Sequence, residues 1–409
     1  IIYYFYIVII KKQKVELILN YIPKHLNSIF VSGKWKNINS ARKTFSVENP
    51  SNKEKICNIS FANRDDCDQA ILSAKDAFNS FSETTINERI DFLKDIKQKF
   101  LERYEDFAQI MTAEMGAPIK FSRDEQVSSA DMHFDATINA AQTFDWEKKY
   151  ENSRVIKEAI GVAVMITPWN WPLNQIVCKV APAIISGCTM VLKPSELSPL
   201  SALLFTEVIE SSNLPDGVFN MVNGSGEDIG NYLSSHPNVD MVSFTGSTKA
   251  GISVAKAASD TVKRVTQELG GKSPNIILET ANIEKAVKSG VEACFSNAGQ
   301  SCDAPSRMLV PKKSFLKAIE IAKVRAEQFK VGNPLDENTD IGPVISKTHY
   351  LKIQNYIKSG IDEGASLVTG GMGYPKGKNE GYFVKPTIFT NVNYNMKIFN
   401  EEIFGTVLV

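Results

Sequence analysis

The chain has 409 residues, which is enough for two or three domains and a large buried core. Hydrophobic residues make up 43% of the chain and charged residues 22%, the balance of an ordinary globular protein. The 46 basic residues are matched by 46 acidic residues, so net charge gives no support for a nucleic-acid partner or an anionic membrane surface.

The cysteines and histidines form no pattern typical of a metal site. The four histidines are scattered and no C-x-x-C pair occurs. Six cysteines are too sparse for a disulfide framework in a chain of this length, which favours a reducing compartment. The sequence therefore predicts a cytoplasmic protein that needs no metal. The six cysteines are Cys57, Cys67, Cys178, Cys188, Cys294 and Cys302.

Both ends of the chain are unusual. The first residues, IIYYFYIVII, form an apolar run too short to span a bilayer, and no positive charge precedes it as in a signal peptide. We expect residues 1–21 to be a non-native or disordered leader, with a membrane-associating segment as the alternative. The chain stops within the strand-like run FGTVLV, so we also expect a truncated C-terminus.

The first part of the chain predicts short strands followed by helices. Apolar residues recur at helical spacing in three stretches, and Gly116 closes the second. Residues 144–158 break this pattern because they are charged and polar, and we interpret them as an extended arm or hairpin. The predicted strands span residues 30–35 and 45–50, and the predicted helices span residues 64–79, 87–115 and 122–143.

From Gly161 onward, short apolar runs alternate with helical stretches. This alternation predicts βαβ units and a parallel sheet, hence an α/β fold. Ligands bind beyond the carboxyl ends of the strands in such sheets, so the loops to inspect are those after Ile166, Leu192, Val222 and Thr245. A second α/β unit follows. Its predicted strands span residues 264–268, 275–278 and 308–310, and its predicted helices span residues 282–296, 315–329 and 347–363.

Cys302 lies in the stretch NAGQSCDAPSR, among small and polar residues. A cysteine that only fills space is normally buried among apolar neighbours. Gly299 and Ser301 instead leave room for another molecule. Cys302 is therefore a candidate nucleophile, with a packing role as the alternative.

Two strand-end loops carry candidate groups for a nucleotide. Gly246 and Ser247 form a strand-to-helix junction that suits a phosphate, and the alternative is a helix capped by the serine. Lys193 and Glu196 follow another strand and could hold ribose hydroxyls, with Glu196 repelling a 2′-phosphate. The alternative for this pair is two solvated loop charges.

An asparagine, a glutamate and a group of glycines are further candidates for a role in the chemistry. Asn170 lies between two tryptophans in a proline-rich loop, where a held amide could donate to an oxyanion or the loop could simply pack. Glu268 ends a strand, and a partly buried glutamate there could act as a general base, with a surface glutamate as the alternative. Residues 224–226 with Gly230 are one residue off the dinucleotide fingerprint, so we interpret them as close backbone packing beside a cofactor.

Six motifs occur in the order TPWNWP, KPSELSP, FTGST, QELGGKSP, GQSC and EEIFG. Together they resemble the aldehyde dehydrogenase superfamily, and the resemblance extends from about Ile29 to Val409. It implies a Rossmann-like NAD-binding domain, an α/β catalytic domain and a small β-hairpin oligomerisation arm. The implied reaction is oxidation of an aldehyde to a carboxylic acid with reduction of NAD+, through a cysteine thiohemiacetal and a thioester.

The resemblance also assigns roles to single residues. Cys302 matches the nucleophile, Glu268 the base and Asn170 the oxyanion donor. The residues that match the cofactor site are Lys193, Glu196, Gly246, Ser247, Trp169, Ile166, Glu402 and Phe404. Lys179 matches a position along the cofactor or catalytic channel, and Trp171, Asn174, Gln175 and Cys178 are expected to edge the substrate pocket.

The implied domains follow the chain in order. Residues 22–143 and 159–268 would form the NAD-binding domain, residues 144–158 the oligomerisation hairpin and residues 269–409 the catalytic domain. The implied assembly is a homodimer or homotetramer. Two other functions stay open: a CoA-acylating semialdehyde dehydrogenase, disfavoured by Glu268, and a non-catalytic nucleotide-binding fragment. Asp303 is unusual beside the nucleophile, and we expect its charge to disfavour anionic aldehydes.

Overall fold

The computed structural model describes residues 20–38 and 42–409. The predicted leader, residues 1–21, lies outside the described residues except for its last two. The chain forms two compact units. Unit 1 comprises the described residues up to Val47 together with Ile56–Met111 and Ser122–Glu268, and unit 2 comprises Glu48–Lys55, Thr112–Phe121 and Leu269–Val409.

The units differ from the predicted domain ranges at two short segments and at the predicted hairpin, residues 144–158, which belongs to unit 1. Glu48–Lys55 and Thr112–Phe121 fall inside the predicted NAD-binding range, residues 22–143, but belong to unit 2. Backbone pairing holds the second segment there, since the Ile119 N–H donates to the Pro334 carbonyl over 2.7 Å. Partners so distant in sequence give no local signal that a pattern could have detected.

Unit 1 is built on a seven-stranded sheet with the order β11-β10-β7-β8-β9-β1-β2. Strands β10, β7, β8 and β9 pair in parallel, and β1 joins them antiparallel. The predicted α/β fold with a parallel sheet is thereby confirmed. The strands are β1 Ser28–Val31, β2 Lys34–Asn37, β3 Thr44–Glu48, β4 Lys55–Ser60, β5 Glu147–Tyr150, β6 Ser153–Ile156, β7 Val162–Ile166, β8 Thr189–Lys193, β9 Phe219–Met221, β10 Met241–Gly246 and β11 Arg264–Leu269.

One predicted strand of unit 1 was wrong. Residues 30–35 are not a single strand, because Ser32 and Gly33 adopt positive φ angles of 53° and 70° and turn the chain between β1 and β2. By contrast, every residue of β7 and β8 is buried, which explains their continuous apolar sequences. Residues 144–158 contain the antiparallel hairpin β5–β6, and all eight strand residues of this hairpin are exposed.

Helices cover the sheet of unit 1. The prediction of one helix over residues 87–115 was wrong, because the structure has two helices there. The first ends at Glu102, Arg103 leaves helical geometry at φ −109° and ψ 16°, and the second begins at Tyr104. The helices, including α4 of unit 2, are α1 Arg64–Ser82, α2 Ile86–Glu102, α3 Tyr104–Met115, α4 Ile119–Phe121, α5 Ser128–Thr143, α6 Pro172–Ser186, α7 Pro199–Glu210, α8 Asn231–Ser235 and α9 Thr248–Ala258, with π-helical turns Ser122–Val127 and Gly226–Gly230 and the 3-10 turn Ser259–Thr261.

Unit 2 has its own core and two small sheets. β12 and β13 pair in parallel, while β15 lies between β14, which is antiparallel to it, and β16, which is parallel. Phe295, Ile353 and Phe389 pack in the buried cluster between helices and strands. The strands are β12 Pro274–Ile276, β13 Arg307–Leu309, β14 Ser366–Thr369, β15 Thr387–Thr390 and β16 Val407–Leu408, and the helices are α10 Ile283–Phe295, α11 Phe315–Gln328, α12 Lys347–Asp362 and α13 Lys397–Asn400, with 3-10 turns Ser296–Gly299 and Lys312–Ser314.

None of the helices within residues 20–38 and 42–409 combines the length and the apolar character that crossing a membrane requires.

Candidate active site

Asn170 lies in the loop that leads from β7 into α6. The residue is buried, and its backbone carbonyl accepts a hydrogen bond from Gln126 Nε2 over 3.0 Å. The start of the loop is tied to β8, since the Thr167 N–H donates to the Lys193 carbonyl over 3.1 Å. Pro172 then begins α6, where its fixed φ suits the first helical turn. The backbone that carries the Asn170 amide is therefore fixed at both sides.

Lys193 ends β8 and is almost completely buried, with 2% of its side chain exposed. Its Nζ donates to the Pro194 carbonyl over 2.8 Å and lies 3.5 Å from Glu196 Oε2. Burial lowers the pKa of Lys193, and the neighbouring Glu196 charge acts in the opposite direction. Lys193 is therefore not a solvated loop charge. It is a buried cation at the carboxyl end of a parallel strand, held beside a half-buried carboxylate.

Ser247 caps α9 directly after β10. Its Oγ accepts a hydrogen bond from the Ala250 N–H over 3.3 Å, so the serine cap that the sequence offered as an alternative is present. The cap does not occupy the whole helix start, because a first turn has four N–H groups without helical partners. The phosphate role of Gly246 and Ser247 stays a prediction.

Two buried hydroxyls lie at the ends of neighbouring strands of the sheet. Thr167 follows β7 and Thr245 lies near the end of β10, and these strands pair directly. Within the described residues, Oγ1 of each is buried and has no hydrogen-bond partner. A buried hydroxyl without a partner is costly, so this sheet edge suits a polar ligand such as a nucleotide.

Glu268 lies on β11, at the edge of the sheet, and is exposed. Of the two alternatives for Glu268, the structure shows the surface glutamate, because every second residue of this edge strand faces outward. Its role as general base stays a prediction. Burial lowers the pKa of Lys179, and the charges of Cys178 and Glu268 act in the opposite direction. Burial also raises the pKa of the Cys178 thiol, with Lys179 opposing this and Glu268 adding to it. The charges of Cys178, Lys179 and Glu268 therefore influence one another.

Residues 297–302, here called the Cys302 loop, follow α10 in unit 2. Asn297, Ala298 and Gly299 all have left-handed backbone conformations, with φ of 52°, 56° and 73°. Gln300 is buried and anchors the loop, since its Oε1 accepts a hydrogen bond from the Ile345 N–H over 3.0 Å. Cys302 itself is exposed. The loop thus presents a thiol at the surface of unit 2 on a strained and anchored backbone, which is typical of functional sites.

The Glu402 carboxylate lies against the backbone of Gly270 and Gly271. An ideal Cβ on Gly270 would lie 2.2 Å from Glu402 Oε2, and the Gly271 N–H donates to Oε1 over 3.4 Å. Burial raises the pKa of Glu402, while Lys352, the Gly271 N–H and Lys272 act in the opposite direction. We call Gly270, Gly271 and Glu402 the Glu402 nest.

Cys302 lies close to the Glu402 nest. An ideal Cβ on Gly271 would lie 4.0 Å from the Cys302 carbonyl oxygen. Two more predicted site residues, Glu402 and Cys302, are thereby brought together within unit 2. Phe404, the third, adopts a positive φ of 63° two residues after Glu402.

The glycine-rich sequence at residues 224–226 has a limited role in packing. A Cβ on Gly224 would lie 2.5 Å from Ile229 Cδ1, whereas Gly226 and Gly230 face open space. Close packing is therefore present at Gly224 and absent at the other two glycines, and the cofactor beside it stays a prediction.

Sequence reasoning missed two groups of unit 2 that contact the predicted site. His349 Nε2 donates to the Phe404 carbonyl over 2.6 Å, and nothing in the sequence links residues 55 positions apart. Gly270 makes room for Glu402. The signal for Gly270 was present in the Gly-Gly pair, which indicates a close backbone approach without identifying the partner. Within the described residues, no group of three or more His, Cys, Asp or Glu side chains could hold a metal ion.

Residues 35–409 match the model of the Aldehyde dehydrogenase family. The chain belongs to this family. Similar curated proteins include a 3-succinoylsemialdehyde-pyridine dehydrogenase from Pseudomonas sp., which is 44% identical over 93% of the chain and 80% of that relative. The predicted family and enzyme class are confirmed.

Solved aldehyde dehydrogenase structures share the fold. One from Bartonella henselae is 47% identical with a TM-score of 0.91, and covers 93% of this chain and 81% of that one. A cysteine-to-alanine mutant of aldehyde dehydrogenase C from Pseudomonas syringae, in complex with NAD+ and octanal, is 43% identical with a TM-score of 0.93 over 95% and 80% of the chains. The predicted fold class is confirmed.

Proposed function

We propose that this aldehyde dehydrogenase oxidises aldehydes to carboxylic acids with NAD+, using Cys302 as the nucleophile. The observation that carries the proposal is the placement of Cys302. Its thiol is exposed at the end of a loop with three consecutive left-handed residues, and its backbone lies beside the Glu402 nest. Strain of this kind persists only where the surrounding structure fixes it, and it is concentrated at functional sites.

The residues of unit 1 fit a nucleotide. Lys193 and Glu196 would hold ribose hydroxyls, and Gly246 and Ser247 would place the α9 N-terminus at the pyrophosphate. The unpartnered hydroxyls of Thr167 and Thr245 support a polar ligand at this sheet edge. Ile166 and Trp169 would line the same ligand. In unit 2, Glu402 and Phe404 would hold the nicotinamide ribose. Solved relatives with NAD+ bound, including a betaine aldehyde dehydrogenase from Staphylococcus aureus, support the cofactor.

Each proposed catalytic residue has one task. The Cys302 thiolate forms a bond to the aldehyde carbon, and the resulting oxyanion accepts hydrogen bonds from the Asn170 amide and the Cys302 N–H. Bound NAD+ supplies the acceptor for the hydride that leaves this carbon. Glu268 then takes a proton from the water that attacks the thioester, which releases the carboxylic acid and the Cys302 sulfur. Its exposure on β11 leaves Glu268 open to that water.

The test is NADH production by the purified protein over a panel of aldehydes. Cys302→Ala should reduce the rate by more than about a thousandfold, because it removes the sulfur that carries the proposed acyl intermediate. Cys57→Ala, which removes a buried thiol on β4, is the matched control and should leave the rate unchanged. A Cys302→Ala variant that retains substantial NADH production, or turnover that depends on CoA, would overturn the proposal.

The aldehyde class follows from charge beside the nucleophile. Asp303 is exposed directly after Cys302, so its carboxylate would repel an anionic substrate. We therefore propose neutral aldehydes as substrates, and the neutral octanal bound to the Pseudomonas syringae relative is in keeping with this. Octanal should give a higher kcat/KM than succinate semialdehyde. The Asp303→Asn variant should show a smaller ratio between these two kcat/KM values. A preference of the unaltered protein for succinate semialdehyde would contradict this choice.

The β5–β6 hairpin supports a homo-oligomer, a dimer or a tetramer. Tyr150, Val155 and Ile156 on this hairpin are each about half exposed, at 52%, 49% and 55%. Tyr150 and Val155 share one face of the hairpin and Ile156 lies on the other, because successive strand residues alternate. Exposed apolar side chains on both faces are typical of an interaction surface. Val155→Lys with Ile156→Lys should therefore shift sedimentation towards the monomer. Six cysteines are too sparse for a disulfide framework in a chain of this length, which supports a reducing, cytoplasmic location.

A further inference from the structure

His349 is a buried histidine in the first turn of α12 that the proposed mechanism does not use. Its Nε2 lies 2.6 Å from the Phe404 carbonyl oxygen, and because a carbonyl can only accept, Nε2 carries the proton. The two rings meet edge to face, with centroids 5.9 Å apart and an interplanar angle of 71°. Burial lowers the pKa of His349 to about 4, so the ring stays neutral near pH 7.

The group that His349 holds has an unfavourable backbone conformation. Phe404 has a φ of 63°, in the left-handed region that bulky side chains avoid. Such a conformation persists only when neighbouring contacts fix it. His349 contacts Phe404 twice: its ring donates a hydrogen bond to the Phe404 carbonyl, and it packs against the Phe404 ring. These two contacts hold the turn at Phe404.

The turn at Phe404 sets the position of both of its flanks. Two residues before it, Glu402 places its carboxylate on the Gly270 backbone. Directly after it, Gly405 packs against the Cys302 loop, where an ideal Cβ on Gly299 would lie 2.2 Å from the Gly405 carbonyl carbon. A change of φ at Phe404 would therefore move Glu402 and Gly405 together.

We propose that His349 is a positioning residue that fixes the turn at Phe404 and thereby aligns Glu402 with the cofactor ribose. The inference rests on the proposed function, since it assigns Glu402 to the cofactor. His349 need not touch the cofactor or the reacting atoms. It acts by presenting one neutral N–H donor at a fixed distance from a backbone carbonyl.

The test compares variants that keep or remove this donor. His349→Leu removes it, His349→Asn shortens its reach, and His349→Gln keeps a donor of similar reach. NADH binding, followed by its fluorescence in the absence of aldehyde, should weaken about tenfold in the first two variants, since one buried hydrogen bond is lost. His349→Gln should restore most of the affinity. Tyr382→Phe, which removes the 2.6 Å hydrogen bond to Glu48, controls for a general loss of stability in unit 2.

A double-mutant cycle with Glu402→Gln separates positioning from stability. If His349 acts through Glu402, its replacement by Leu should weaken NADH binding about tenfold in the unaltered protein but by less than about twofold in the Glu402→Gln background. Full additivity, or His349→Leu with unaltered NADH affinity, would overturn the inference. A parent protein that fails to bind NADH would instead overturn the proposed function, so the two failures are distinguishable.

Discussion

The Glu402 carboxylate occupies the space in which a side chain on Gly270 would begin. An ideal Cβ on Gly270 would lie 2.2 Å from Glu402 Oε2 and 2.4 Å from the carboxyl carbon, distances that real Cβ atoms do not show. The residue at position 270 therefore determines where the carboxylate lies, although 132 positions separate it from Glu402 along the chain. A side chain here would have to displace the flexible end of Glu402, so the constraint at Gly270 comes from this close approach and not from an unusual φ.

Gly270→Ala should therefore weaken cofactor binding. The new methyl group would displace the Glu402 carboxylate, and we expect NADH affinity to fall about tenfold, a loss equal to about 1.4 kcal/mol. Gly271→Ala is the comparison, because its ideal Cβ meets only the Cys302 carbonyl oxygen at 4.0 Å and should weaken binding less. Equal affinities in Gly270→Ala and the parent protein, measured by NADH fluorescence, would show that Glu402 does not hold the cofactor.

Gly299→Ala should disrupt the Cys302 loop. Gly299 has a φ of 73°, and an ideal Cβ would lie 2.2 Å from the Gly405 carbonyl carbon. The left-handed conformation alone costs a non-glycine residue about 1–2 kcal/mol, and the clash adds to it. We expect NADH production to fall more than about tenfold, because a small displacement of a nucleophile has a large effect on rate.

The control for this loop variant is Gly364→Ala. Gly364 also has a positive φ, of 91°, but a Cβ there would meet nothing within 4 Å. It should lower the thermal midpoint while leaving the specific activity near that of the parent. If both variants lost activity equally, backbone strain in general, and not the contact with Gly405, would be the cause.

Much of the fold follows from local patterns in the sequence. The alternation of apolar runs and helices predicted the parallel strands β7, β8, β9 and β10, because buried parallel strands have continuous apolar sequences. The break at Arg103 could not be predicted, since helical periodicity continues on both sides of it.

The sequence predicted which residues belong to the candidate site, but it did not predict the contacts that hold them in place. Short motifs identified Cys302 and Glu402, yet the contacts that fix them join residues more than a hundred positions apart or end on backbone atoms, as His349 does at Phe404. The left-handed conformation of Ala298 also had no local signal, because alanine gives no preference for it. Partners of this kind emerge only once the chain is folded.

Glu196→Gln should change the choice of cofactor. The Glu196 carboxylate lies 3.5 Å from the buried Lys193 Nζ and would repel a 2′-phosphate bound at the same place. Removing its charge should raise kcat/KM with NADP+ about tenfold relative to that with NAD+. Glu125→Gln, which removes an exposed charge from the π-helical turn, should leave the ratio unchanged. A parent protein that already prefers NADP+ would contradict the role given to Glu196.

Lys272 makes the stability of unit 2 depend on pH. Burial lowers the pKa of Lys272 to about 8. The neighbouring Cys294 and Glu402 act to raise this pKa, and Arg307 acts to lower it further. Its Nζ is buried and forms no hydrogen bond within the described residues. An unfolded lysine titrates near 10.4, so between about pH 8 and 10.4 the unfolded chain binds more protons than the folded one and stability rises with pH. Below pH 8 the buried charge destabilises the folded state by roughly 3 kcal/mol.

Lys272→Met should therefore raise the midpoint of urea unfolding at pH 7, and this gain should shrink as the pH rises to about 10.4. Lys317→Met on α11 is the matched control, because Lys317 is exposed and its replacement should shift the midpoint equally at every pH. A gain for Lys272→Met that stayed constant over this range would show that the methionine side chain stabilises unit 2 by packing alone. A loss of stability at pH 7 would instead show that the charged ammonium group forms a favourable contact in the folded protein.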